Sequence, residues 1–210
     1  MRIISGDARG IRLALPTGGE ELRPTEDRVK ESLFTTLGDF TGTTVLDLFS
    51  GTGALGLEAL SRGATRVVMV ERDVIHAETI RENLVIVRRA ILARGRVPGE
   101  ATVLVSDVSK VPELLSDDNF SYVLADPPYH PASGEYGARE LLLDERLTHF
   151  CDAQTILALE HATDVLDLPW RPHSSWRLLR TRSFGIRSVS YARLALSNPS
   201  SVEDETEEFV

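Results

Sequence analysis

Residues 126–129, Asp-Pro-Pro-Tyr, have the side chains and the spacing to hold an exocyclic amino group of a nucleobase. The nitrogen lone pair of such an amine is delocalised into the ring. The carboxylate of Asp126 and the carbonyl oxygen of Pro127 can accept its two hydrogens and favour a tetrahedral, nucleophilic nitrogen. Pro128 stiffens the turn, and Tyr129 offers a ring on which a flipped base can stack. The motif therefore predicts chemistry on an amino group.

A second stretch, residues 43–56, predicts a cradle for a nucleotide cofactor. An apolar strand runs into a loop that contains Gly51 and Gly53, and a helix follows. Glycine at these positions permits a sharp turn and close approach of the backbone to a ligand, while Gly56 permits tight packing of the helix. The same spacing serves NAD, FAD and S-adenosylmethionine, and it also occurs in ordinary strand-to-helix turns. The loop alone therefore does not identify the cofactor.

Two carboxylates at strand ends extend this cradle. Glu71 ends a strand at 66–70, twenty residues after Gly51, where a Rossmann-type sheet places the acid that accepts ribose hydroxyls. Asp107 follows a strand at 101–105, where a carboxylate can accept from an adenine amino group. The alternative for Asp107 is a surface turn.

The Asp-Pro-Pro-Tyr motif discriminates between the cofactors. It ends a short buried strand because two prolines cannot continue the hydrogen-bonded ladder. A nicotinamide enzyme has no use for this motif at the end of a fourth strand, whereas an amino-group methyltransferase needs it. We therefore expect S-adenosylmethionine as the cofactor, and residues 130–137 have the composition of a loop that closes over a substrate.

The remaining elements alternate as in a parallel α/β sheet. A helix capped by Asp73 is predicted as far as Val87, followed by an arginine-rich connection over 88–98. A helix is also expected over 139–147. The last three strands are expected at 155–160, 176–180 and 188–196, with the final pair forming a hairpin around Gly185, which gives about seven strands.

The N-terminal segment is expected to serve the site from outside the sheet. Glycines alternate with apolar residues over 1–22 and predict a β-hairpin. We assign Arg9, Arg12 and Arg23 to phosphate contacts with a substrate. Thr25 and Arg28 begin the next helix and could contact a cofactor carboxylate, or Thr25 could simply cap the helix.

Composition excludes several classes of protein. The 210 residues suit one buried domain, and 42% apolar content without a long apolar run argues against a membrane protein. A lone cysteine, Cys151, and the lack of a signal-like N-terminus predict a cytoplasmic protein. None of the histidines has metal-ligand spacing, so no metal is expected, and His161 is interpreted as structural.

The net charge of −9 is unevenly distributed. Six arginines and no acidic residue lie between Trp170 and Leu196, whereas the last residues are rich in acids. The arginines can form a basic face for a nucleic acid, or they can be solvated and paired with the many acids.

Taken together, these motifs resemble the RsmD family, the bacterial 16S ribosomal RNA guanine-N2 methyltransferases. The resemblance runs through most of the chain. It is carried by Gly6-Asp7-Ala8-Arg9-Gly10, by residues 23–34 (RPTEDRVKESLF), by residues 47–64 (DLFSGTGALGLEALSRGA) and by Asp126-Pro127-Pro128-Tyr129.

The resemblance implies a class I S-adenosylmethionine-dependent methyltransferase fold. This is an α/β, Rossmann-like, seven-stranded sheet with an antiparallel last strand, here with a small N-terminal β-hairpin extension. It implies methylation of one guanine N2 in 16S rRNA, with the small ribosomal subunit as partner, and we expect a monomer. Asp47, Ser50, Gly51 and Gly53 are assigned to the cofactor cradle.

The resulting domain prediction has three parts. Residues 1–22 form the hairpin extension, 23–197 the methyltransferase domain and 198–210 an acidic disordered tail. Three other functions remain open from the residues themselves. A DNA adenine-N6 or cytosine-N4 methyltransferase shares Asp-Pro-Pro-Tyr but normally adds a recognition domain. A non-catalytic RNA-binding assembly module would be expected to have lost the loop or the prolines, and a nicotinamide dehydrogenase would lack Asp-Pro-Pro-Tyr.

Overall fold

A single seven-stranded sheet organises the chain. The computed structural model describes residues 1–17, 27–115, 119–165 and 167–195. The strands are β1 (Thr44–Leu48), β2 (Arg66–Glu71), β3 (Glu100–Val105), β4 (Tyr122–Ala125), β5 (Ile156–Ala162), β6 (Trp176–Phe184) and β7 (Arg187–Leu194).

Their order in the sheet is β3-β2-β1-β4-β5-β7-β6. The first five strands are parallel, and β7 runs antiparallel to both β5 and β6. This confirms the predicted class I methyltransferase sheet with its antiparallel last strand, including the hairpin that turns at Gly185.

The described residues form five α-helices, which cover the sheet or connect its strands, and two 3₁₀ helices. The α-helices are α1 (Asp27–Leu37), α2 (Ala54–Ser61), α3 (Val74–Ala93), α4 (Val111–Leu114) and α5 (Ala138–Leu143), and the 3₁₀ helices are Val108–Lys110 and Glu145–Phe150. Apolar side chains from both faces of the sheet form the core, which continues under the helices on each side.

Helix α3 is longer than the sequence interpretation placed it. The side chain of Asp73 accepts from the amides of Ile75 and His76, as expected of a helix cap. The buried row continues past Val87 to Ile91, one helical turn further. The first two arginines of the predicted connection therefore belong to the helix, because that turn still buries an apolar side chain.

The N-terminal segment packs directly on α2. Within residues 1–17, Arg2 and Arg12 form one antiparallel bridge, a short pairing without regular strands. The rest of the hairpin predicted over 1–22 lies outside the described residues. Gly6 has φ of +78°, and a Cβ there would lie 2.0 Å from the carbonyl oxygen of Ser61, so glycine is required for this close approach.

A buried carboxylate fixes the same segment in place. Glu58 of α2 is fully buried and accepts from the amides of Ile4 at 2.7 Å and Ser5 at 2.9 Å. Lys30, also fully buried, lies 3.5 Å from Glu58 and donates to the carbonyl oxygen of Arg2. Because burying a charge is costly unless it is paired, these contacts compensate the burial of Glu58 and Lys30. They also attach the N-terminal segment to the main fold.

Candidate active site

The parallel strands end at one edge of the sheet, and a cavity of about 980 Å³ opens there. Loops that follow β1, β2, β3, β4 and β5 and the turn between β6 and β7 all reach it. Its principal polar and aromatic lining residues are Asp47, Phe49, Ser50, Gly51, Thr52, Glu71, Arg72, His76, Ser106, Asp107, Asp126, Tyr129, His130, Glu135, Tyr136, Thr163 and Asp164. Ligands in open α/β sheets bind at this edge.

The glycine loop is held in a conformation that few residue types allow. Gly51 and Gly53 have φ of 55° and 76°, and Phe49 has φ of 59°, which is uncommon for a residue with a side chain. The hydroxyl of Ser50 donates to the carbonyl oxygen of Asp47 at 2.8 Å, and the amide of Gly53 donates to the carbonyl oxygen of Ser50 at 2.7 Å. These two hydrogen bonds lie within the loop, and Phe49, Ser50, Gly51 and Thr52 line the cavity.

Asp47 makes a hydrogen bond with the helix that follows the glycine loop. Its Oδ2 accepts from the amide of Gly56 at 2.9 Å, and burial raises the pKa of its carboxyl to about 7. A Cβ on Gly56 would lie 2.6 Å from the Met69 side chain and 3.0 Å from Asp47, so this glycine permits the helix to pack closely. The predicted cofactor residue Asp47 therefore has a supporting contact with the start of α2 and also lines the cavity.

Glu71 joins the loop to the end of β2. One carboxylate oxygen accepts from the amide of Gly51 at 2.8 Å and the other from the amide of Asp73 at 2.8 Å. The side chain is buried but lines the cavity. A carboxylate has further lone pairs, so these two bonds still allow it to accept from a ligand hydroxyl.

Asp107 lies just past the end of β3 and lines the same cavity as the glycine loop. Its Oδ1 accepts from the amide of Ser109 at 2.9 Å and from its hydroxyl at 2.6 Å. Burial opposes ionisation, but these hydrogen bonds and nearby Arg72 outweigh it and lower the pKa of Asp107. The residue is therefore an ionised acceptor at the cavity wall.

The Asp-Pro-Pro-Tyr motif follows β4 directly, next to the glycine loop. β1 pairs with β4 so that Leu48 lies opposite Ala125, and the residues after each strand enter the cavity side by side. Asp126 is half-buried, Pro127 buried and Pro128 exposed. The hydroxyl of Tyr129 donates to Glu160 of β5 at 2.5 Å. Burial, and after it this hydrogen bond, raises the pKa of Tyr129, so the hydroxyl remains a neutral donor.

His130, Glu135 and Tyr136 of the loop over 130–137 line the cavity. That this loop closes over a substrate stays a prediction, and its anchors were not predicted. Arg72 lies 3.3 Å from Glu135, whose other oxygen accepts from the amide of Ala132 at 2.9 Å. The hydroxyl of Tyr136 donates to Asp144 at 2.9 Å, and its ring lies 6.4 Å from that of Phe49. No sequence signal pointed to Arg72, because an arginine after a strand is common on protein surfaces.

Several predicted site residues lie elsewhere. Arg28 is exposed on α1, and Arg9 and Arg12 are exposed on the N-terminal segment; none of the three lines the cavity. Arg23 and Thr25 lie outside the described residues. The roles assigned to these five residues remain predictions.

His161 makes the contacts of a structural residue. Its Nδ1 lies 2.9 Å from the carbonyl oxygen of Ala162, which can only accept, so Nδ1 carries a proton and Nε2 faces the Ser190 hydroxyl at 2.9 Å. Burial lowers the pKa of His161. Among the described residues, no group of three histidine, cysteine or acidic side chains could hold a metal ion. Nor is any helix in those segments long and apolar enough to span a membrane.

Comparison with known proteins identifies relatives along most of the chain. The model of the family described as "Conserved hypothetical protein 95" matches residues 1–193. Ribosomal RNA small subunit methyltransferase D of Haemophilus influenzae is 32% identical over 194 residues, which cover 91% of each chain. The Escherichia coli protein of the same name is 45% identical over 85 residues, covering 40% of this chain and 42% of the relative.

Solved structures share the fold. A hypothetical protein of Thermus thermophilus superposes with a TM-score of 0.69 at 26% identity, covering 92% of this chain and 99% of that one. The 16S rRNA N2 methyltransferase of the same organism, solved with S-adenosylmethionine and guanosine, has a TM-score of 0.61 at 21% identity over 86% of this chain and 45% of its own. Since the family model and the Haemophilus relative both span nine tenths of the sequence, this chain belongs to the family of the ribosomal RNA small subunit methyltransferase D proteins.

Proposed function

We propose that this protein transfers a methyl group from S-adenosylmethionine to the exocyclic N2 amine of a guanine in 16S ribosomal RNA. One observation carries the proposal: a single cavity joins the glycine loop with its carboxylates to the Asp-Pro-Pro-Tyr motif, which follows the neighbouring strand. A cofactor on the loop and an amine on the motif would therefore share one space, as a direct transfer requires.

The cofactor half of the cavity suits S-adenosylmethionine in size and charge. A volume of about 980 Å³ lies at the upper end for small-molecule sites and leaves room for a base beside the cofactor. The lining carboxylates outnumber the single arginine, Arg72, which favours a cationic sulfonium; they are Asp47, Glu71, Asp107, Asp126, Glu135 and Asp164. Glu71 would accept from the ribose hydroxyls and Asp107 from the adenine amino group.

The acceptor half suits an exocyclic amine. Asp126 and the carbonyl oxygen of Pro127 would accept the two amine hydrogens, which orients the nitrogen lone pair toward the cofactor. Tyr129 would stack on the base. The bound cofactor supplies the electrophilic methyl group, so these residues need only orient the amine and exclude water, with little demand for a strong base.

Exposed arginines favour a nucleic acid as the substrate despite the acidic net charge. Arg177 and Arg180 are exposed on β6, and Arg177 lies directly opposite Arg193 on β7. This pair lies at the end of the hairpin opposite the Gly185–Ile186 turn, which lines the cavity, since Arg193 pairs with Ile156 at the start of β5. With the arginines of the N-terminal segment this pair would contact phosphates without reading sequence.

The finer features of the proposal follow from this substrate. We expect the protein to act as a monomer on the small ribosomal subunit or its RNA in the cytoplasm. Duplex DNA is the less favoured substrate, because the Haemophilus influenzae relative, which covers 91% of this chain, is named a ribosomal RNA methyltransferase.

The test is methyl transfer from labelled S-adenosylmethionine to three substrates in parallel: unmethylated 16S RNA, small subunits and duplex DNA. The modified nucleoside is identified after digestion. N2-methylguanosine from ribosomal material is the expected result. Methyladenine or methylcytosine in DNA, or a different methylated nucleoside in the RNA, would contradict the proposal.

A further inference from the structure

Glu160 stands out as a charged residue in an otherwise fully buried strand. It is 1% exposed and lies two residues before the end of β5. Its Oε1 accepts from the Tyr129 hydroxyl at 2.5 Å and lies 3.3 Å from Nη1 of Arg187, the first residue of β7. A donor from the loop after β4 and a donor from β7 thus converge on one oxygen of a buried carboxylate.

Core packing alone does not account for this residue. Burying a carboxylate costs several kcal/mol unless partners compensate, and an apolar side chain at such a site is often as stable or more so. Ile156 and Ala158, which share with Glu160 one face of β5, are buried and apolar. Both contacts of Glu160 instead connect it to the cavity. Tyr129 itself lines the cavity, and Arg187 follows Ile186, which also lines it.

The Tyr129 side chain is restrained at both of its ends. Pro127 and Pro128 limit the backbone that precedes it. At the far end, the hydroxyl is tied to β5, so the ring is held along the cavity wall between β4 and the β6–β7 turn. A half-exposed tyrosine without that bond would sample several rotamers. The bond therefore holds the far end of the ring in place before any substrate arrives.

We propose that Glu160, held by Arg187, is a positioning residue that fixes the Tyr129 ring as a stacking surface for the acceptor base. This inference rests on the proposed function, because it assigns Tyr129 to the base. It adds two residues that have no direct contact with the reacting atoms: Glu160 acts through the Tyr129 hydroxyl, and Arg187 acts through Glu160.

The deciding variant is Tyr129→Phe, which keeps the ring and the Glu160–Arg187 ion pair and removes only the hydroxyl. We expect kcat/KM for RNA to fall roughly 10-fold while cofactor affinity and Tm stay near wild type. Tyr122→Phe is the matched control, because its hydroxyl donates to the carbonyl oxygen of Leu37, away from the cavity. That control should leave kcat/KM unchanged.

A double-mutant cycle that combines Tyr129→Phe with Glu160→Gln tests whether Glu160 acts through the Tyr129 hydroxyl. If Glu160 acts through Tyr129, the double variant is no slower than the slower single variant. The inference would be overturned if Tyr129→Phe kept the wild-type kcat/KM, or if the loss of kcat/KM in the double variant equalled the product of the two single losses. In either case the proposed function still stands, provided that the wild-type protein methylates ribosomal RNA. Should Glu160→Gln fail to fold, Tyr129→Phe decides alone. A wild-type protein that methylates no ribosomal RNA would instead contradict the proposed function.

Discussion

The two halves of the cavity hold their carboxylates in different ways. In the half built by β1, β2 and β3, backbone amides hold the carboxylates: an amide at the start of α2 holds Asp47, and amides of the glycine loop and of Asp73 hold Glu71. In the half built by β4, β5 and β7, side chains hold one another, as Tyr129 and Arg187 do with Glu160. The first arrangement shapes a loop around a ligand, and the second orients a ring.

This difference suggests a division of labour. Bonds from a carboxylate to loop amides make the loop rigid, so damage there should appear in cofactor affinity. Bonds among side chains set the orientation of groups that face the acceptor, so damage there should appear in the rate of transfer. The two halves of the cavity are therefore separable by these two readouts.

The largest effect is expected in the acceptor half. Asp126→Ala removes one of the two acceptors for the amine hydrogens, so the single-turnover rate should fall at least about 100-fold. The rate is measured with saturating cofactor and ribosomal RNA. A variant that transfers methyl groups at the wild-type rate would remove Asp126 from the mechanism.

The next effect is expected in the cofactor half. Glu71→Gln loses the charge that holds the Gly51 and Asp73 amides and would meet the ribose, so cofactor affinity should fall roughly 10- to 100-fold. Calorimetric titration with S-adenosylmethionine measures it. Glu78→Gln is the matched control, since Glu78 is exposed on α3 and pairs with Arg81. Equal affinities in the two variants would count against the role of Glu71.

A pH dependence of stability should come from Asp47. Its folded pKa is about 7, above the value near 4 of an unfolded carboxyl, so between these values the folded protein binds more protons. The free energy of unfolding therefore falls as pH rises through this window. In the absence of cofactor, Asp47→Asn should gain about 2 kcal/mol relative to wild type between pH 5 and pH 8. Urea unfolding at both pH values checks this, and an equal difference at both would refute it.

The smallest effect is expected where the loop over 130–137 meets β2. The Arg72–Glu135 pair is more than a third exposed on both sides, and such pairs contribute little to stability. Glu135→Gln should leave the thermal melt indistinguishable from wild type at physiological salt. A clear loss of Tm would show that this pair holds the loop.

The same contrast explains what the sequence could predict. The glycine loop, Glu71 and Asp126 could be singled out because their signals are local: a strand, a turn and a polar residue at its end. The structure places them at one cavity, and their roles stay predictions. The partners of Tyr129 were not found, because Glu160 and Arg187 meet it only through the order of β4, β5 and β7. In the sequence, Glu160 is one acid beside a histidine, and nothing there indicates that it is buried. The end of α3 was misplaced for a related reason, since arginines precede and follow the buried Ile91.

The most direct test of the division of labour measures, for each variant, the quantity that is assigned to the other half of the cavity. Cofactor affinity is measured for Asp126→Ala, and the single-turnover rate at saturating cofactor is measured for Glu71→Gln. Near-wild-type values are expected for both, because each variant damages only its own half of the cavity. If Asp126→Ala binds S-adenosylmethionine as poorly as Glu71→Gln does, or if Glu71→Gln stays slow at saturation, the two halves do not act separately and the division of labour is wrong.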